Sequence, residues 1–105
     1  MVICTFPNMG KARQIGTALV QMQLVACVNL IPGIQSVYRW EGKVEEQEEV
    51  MAFFKTSAAR YGELEQKVIE MHPHELPELV VVDLAGGLPA YLQWVLSLTQ
   101  PAGDE

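Results

Sequence analysis

The chain has 105 residues, half of them hydrophobic, and a formal net charge of −6 at pH 7. That length fits one small domain, and an acidic balance without any basic run excludes nucleic acid and anionic membrane surfaces as partners. Its longest apolar stretches fall well short of the roughly 20 residues that span a bilayer, so membrane insertion is not expected. Met1 runs directly into Val2-Ile3-Cys4-Thr5-Phe6 without the charged start or small-residue cleavage site of an export signal, which points to the cytoplasm. Cys4 and Cys27 each lie in a strand-like apolar segment and read as reduced, buried thiols rather than as a disulfide framework.

Val2 to Phe6 is β-branched and aromatic and stops at Pro7-Asn8, which predicts a strand and a turn. Asn8 can cap the next helix, and Ala12, Ile15, Leu19 and Met22 recur at three- and four-residue spacing, predicting an amphipathic helix over 9–23. Leu24 to Ile31 is a second strand broken by Pro32-Gly33, and Ile34 to Trp40 resumes extended structure up to a tight turn at Glu41-Gly42. Residues 44–56 pose a conflict. Val44-Glu45-Glu46-Gln47-Glu48-Glu49 has strong helix propensity. Val50, Met51, Ala52, Phe53 and Phe54 are apolar in succession, however, so no single helical face collects them. A strand buried on both faces accounts for that run.

Thr56 or Ser57 is expected to cap a second helix carrying Tyr61, Leu64, Val68 and Met71 on one face, and His72-Pro73 ends it. Leu79 to Val82 reads as a buried strand. Gly86-Gly87 turns the chain into a third helix that begins at Pro89 and packs through Tyr91, Leu92, Val95 and Leu96, with 100–105 a frayed acidic tail. Residues 1–105 are thus one α+β domain in the order β-α-β-β-α-β plus a closing helix, the ferredoxin-like sandwich. Right-handed crossovers place both main helices on one face of its sheet.

The two central strands run about ten residues or more each, well over 30 Å at about 3.3 Å per residue. Arms of that length overhang a small body and leave long edges that must be paired. Met51 and Phe53 also face away from Val50, Ala52 and Phe54 across the pleat, so the second sheet face needs cover. Symmetric self-association meets both needs.

Several stretches together resemble one family. They include Thr5-Phe6-Pro7-Asn8, Leu24-Val25-Ala26-Cys27-Val28-Asn29, Ser36-Val37-Tyr38-Arg39-Trp40-Glu41-Gly42-Lys43, Phe54-Lys55-Thr56, His72-Pro73 with Pro77-Glu78, and Tyr91-Leu92-Gln93-Trp94. In that order they cover nearly the whole chain and are similar to the CutA family, the divalent-cation tolerance proteins. The resemblance implies a PII-like homotrimer built through the long hairpins, with a link to copper and other divalent metal ions. It also implies copper ligands at a first-strand cysteine and at a pair of histidines after the second helix. Cys4 holds the first position. The pair falls on Met71-His72, so only His72 matches, and this chain offers His74 where the family usually has an aromatic residue.

Thiolate and imidazole suit copper. The plainer alternative makes Cys4 a core thiol and both histidines solvated loop residues. A second constellation, Tyr38, Trp40, Glu41, Lys55, Tyr91 and Trp94, joins aromatics to a few polar groups, as in a small-ligand pocket or a subunit interface. The acidic run Glu45 to Glu49 reads as a solvated strand, because alternation lets only two of its carboxylates share an ion. The chain lacks a P-loop, a G-x-S-x-G elbow and an H-E-x-x-H zinc signature, so no enzyme is expected. A Cys4–His72 dyad is the one catalytic alternative. Three functions follow: a cytoplasmic trimer binding copper or a related metal ion in metal tolerance, a PII-like module binding a small anion or nucleotide through Lys55 and Arg39, or a structural adaptor.

Overall fold

A computed structural model describes residues 1–101, so residues 102–105 of the expected frayed tail lie outside the described residues. The elements are β1 (Val2–Phe6), α1 (Met9–Gln21), β2 (Cys27–Trp40), β3 (Lys43–Lys55), α2 (Tyr61–Met71), β4 (Leu79–Val81) and α3 (Pro89–Leu98). One antiparallel sheet carries the strands in the order β2-β3-β1-β4. This is the α+β sandwich expected from the sequence, with the closing helix added.

The Asn8 side chain caps α1 as predicted, its Oδ1 accepting the Lys11 N–H at 2.8 Å. Ala12, Ile15 and Leu19 are buried along one face. The helix stops at Gln21 rather than at residue 23, and Gln23 takes a left-handed φ of 60° to reverse the chain. Leu24, Val25 and Ala26 are buried but precede β2 instead of opening it. Pro32-Gly33 does not split β2 in two. The register steps from Ile31 opposite Met51 to Ile34 opposite Glu49, so two residues of β2 face one of β3 in a bulge. Proline, which has no N–H to give the ladder, and Gly33, at φ 75°, are suited to that position.

Over residues 44–55 the strand reading holds against helix propensity. Between Val50 and Phe54, β3 is hydrogen-bonded to β1 on one side and lies beside β2 on the other. Val50, Ala52 and Phe54 are buried under the helices, whereas Met51 and Phe53 on the opposite face are only half-buried. Tertiary pairing has overridden local preference. Glu41 and Gly42, with φ of 50° and 82°, make the two-residue turn whose twist matches the paired strands.

Three expectations near the ends of elements need correction. Ser57 stands at the start of a 3-10 turn (Ala58–Arg60) that leads into α2, but its hydroxyl caps no backbone N–H; the Thr56 hydroxyl instead donates to the Leu24 carbonyl at 2.6 Å. β4 is a short edge strand with Val80 and Val81 about half exposed, not a buried one, because only β1 pairs with it. On α3, Val95 is buried, while Tyr91 and Leu96 are exposed.

The core joins Val2, Cys4 and Phe6 of β1 to Ile15, Leu19, Leu64 and Val68 of the two main helices, with Phe54 and Ala52 of β3. Each large apolar side chain fully buried there contributes about 1.5–3 kcal/mol. The principal extents, 49 × 28 × 23 Å, record the overhang of the hairpin. Beyond Glu49 its two strands pair only with each other, and Val37 and Val44 are 66% and 68% exposed.

Candidate functional site

Cys4 and His72 meet at the Thr5 carbonyl. The Cys4 thiol, fully buried in the core, lies 3.7 Å from Thr5 O, and His72 Nε2 lies 2.7 Å from the same oxygen. The His74 backbone N–H donates to His72 Nδ1 at 3.0 Å. Nδ1 is therefore the unprotonated nitrogen, and Nε2 carries the proton that Thr5 O accepts. The His72 ring stacks on Phe6 at 4.9 Å, and the His74 ring centre lies 4.9 Å from that of His72.

The three residues expected as metal donors are thus neighbours, but two are occupied. Burial pushes the Cys4 thiol up to about 12, with the Glu78 carboxylate adding to the rise, so the sulfur stays protonated. Burial also lowers the His72 pKa, more than its bond to Thr5 O restores it. His72 is only 7% exposed, which corrects the picture of two solvated loop histidines; His74 is half-buried. Among the described residues no three His, Cys, Asp or Glu side chains are arranged to hold a metal ion. As folded, the donor set does not fit a resident metal centre.

The second constellation divides between the two ends of the hairpin. Tyr38 and Trp40 line a cleft of about 540 Å³. They face β3 directly, Tyr38 opposite Glu45 and Trp40 opposite Lys43. Glu41 sits at the exposed turn beyond them. Lys55 lies at the far end of the thirteen-residue β3, roughly 40 Å away along an extended strand, where its ammonium donates to Asn29 Oδ1 at 2.7 Å. Tyr91 shares a smaller pocket with Lys55, is hydrogen-bonded to the free thiol of Cys27 at 3.4 Å, and lies 5.5 Å, ring to ring, from Trp94. The chain therefore holds these residues in two separate groups rather than in one pocket.

Besides Tyr38, Trp40, Arg39 and His74, which the sequence singled out, the cleft contains residues that it did not assign to a site. Glu45, Gln47 and Glu49 alternate onto its β3 wall, and the segment after α2 supplies Pro73, His74, Glu75, Leu76 and Glu78. Thr5 and Arg39 complete the lining. Glu49 is only 7% exposed, so the acidic run is not solvated along its whole length. The turn at Glu41-Gly42 and the two-residue period of a strand would have placed Tyr38 beside Glu45, with Glu49 two steps further along the same face. No local signal places Glu75 and Glu78 there. Four glutamates and one arginine line the cleft, and Lys55, offered with Arg39 as an anion-binding residue, lies at the other end of the strand.

Comparison with known proteins shows the family and the fold. Residues 1–97 match the pattern of the family described as CutA1 divalent ion tolerance protein. The chain is 40% identical over 95 residues to the divalent-cation tolerance protein CutA of Thermus thermophilus, covering 90% of this chain and 92% of that one. It is 41% identical over 100 residues to the human protein CutA, covering 95% of this chain but only 56% of the human one. The Arabidopsis thaliana relative, 36% identical over 100 residues, is described as chloroplastic, and the match covers 95% of this chain and 55% of that one. The solved Thermus thermophilus structure superposes with a TM-score of 0.92 at 39% identity, covering 94% of this chain and 96% of that one. A PII-like protein CutA from Nostoc in apo form superposes at 0.87 with 35% identity, covering 94% and 95%. No helix among the described residues is long and apolar enough to cross a membrane.

Proposed function

The chain belongs to the CutA1 divalent ion tolerance family, and on that premise we propose that it is a cytoplasmic homotrimer that binds copper or a related divalent ion weakly in the response to metal ions. What supports this reading is the family membership, with Cys4 and His72 both reaching the Thr5 carbonyl and the His74 ring beside that of His72. To bind an ion there, the protein must release a thiol proton held at about 12 and break the His72 hydrogen bonds, which keeps affinity low and makes it rise with pH. The trimer is supported by the overhanging hairpin, whose outer half pairs with nothing but itself.

Binding rather than catalysis is the mode of action. A Cys4–His72 dyad would need a thiolate and a free imidazole nitrogen, and this thiol is protonated in the core while both ring nitrogens are engaged. Equilibrium dialysis of copper against the assembled protein and its Cys4→Ser, His72→Ala and His74→Ala variants tests the metal reading. Loss of stoichiometry in the variants is expected, and unaltered stoichiometry in all three would overturn it.

A second reading is favoured by the cleft: a PII-like module in which Tyr38 and Trp40 form part of a small-molecule site. Its support is the 540 Å³ volume between the hairpin and the 73–78 segment, together with the likeness to a CutA described as PII-like. A saturable rise in melting temperature on adding a small ligand, lost in Trp40→Ala, is the expected result.

A further inference from the structure

We draw no further inference here: the strongest candidate, the buried Arg60 guanidinium at the start of α2, whose Nε has no hydrogen-bond partner among the described residues, is already paired with Glu63 at 2.7 Å and almost wholly closed off from solvent, so nothing in the structure shows what would reach it.

Discussion

The two halves of β3 show how one strand can serve two surfaces. From Val50 to Phe54 it is the third strand of a packed sheet, pairing with β1 and β2 and sending Val50, Ala52 and Phe54 into the core. From Lys43 to Glu48 it pairs with β2 alone, and every residue is exposed. Pairing with β2 resumes beyond the bulge and runs on to the turn, whereas burial ends abruptly at Glu49. The inner half is held by the fold of its own chain. The outer half has only its partner strand, and a lone two-stranded ribbon is marginal in water. Its length leaves a strand pair that nothing else among the described residues covers.

The largest effect should come from the inner half. Phe54 is fully buried against Phe6, ring centres 6.4 Å apart, so Phe54→Ala should cost about 3–5 kcal/mol of folding stability in denaturant titrations. Phe53 is its neighbour in sequence but faces away from the helices, only half-buried. Phe53→Asp should therefore leave a folded chain with native far-UV circular dichroism and lower the particle mass. If both variants unfolded equally, the distinction between the two faces would be lost.

The thiols extend the contrast between buried and exposed parts of the sheet. Iodoacetamide treatment of the native protein followed by mass spectrometry should leave Cys4 unmodified, with modification only after unfolding, because its thiol is held at about 12 inside the core. Rapid native labelling of Cys4 would contradict the buried β1.

A smaller effect belongs to pH. Burial lowers the pKa of His72, so below its ordinary value of 6.5 the unfolded chain takes up a proton that the folded chain resists. The stability held by neutral His72 is therefore complete above about pH 6.5 and falls as pH drops through that value toward the lower folded one. Melting temperature should decline from pH 7.5 to 5.5, and His72→Gln should flatten that decline. The smallest change lies at the tip, where Glu41 occupies a left-handed conformation at φ 50°. Glu41→Asn should stabilise the protein by roughly 0.5 kcal/mol, since asparagine adopts that conformation more readily.

Most of the fold could be read from the residues, because periodicity, the Asn8 cap and the Glu41-Gly42 turn are local signals. The β3 strand was legible only by setting the apolar run Val50–Phe54 against the helix propensity of the glutamates before it. The bulge at Pro32-Gly33 was hidden, since the same two residues signal a break until a partner strand fixes the register. The site was legible in part. Cys4 and His72 do converge, but nothing in the sequence shows that Thr5 O and the His74 N–H occupy them. Glu49 looked like one of several solvated carboxylates, because its burial depends on a segment more than twenty residues further along the chain.

Sedimentation equilibrium of the unaltered protein at micromolar concentration tests most directly whether the outer hairpin joins subunits. A single species of three chain masses is the predicted result. A folded, soluble species of one chain mass would contradict it.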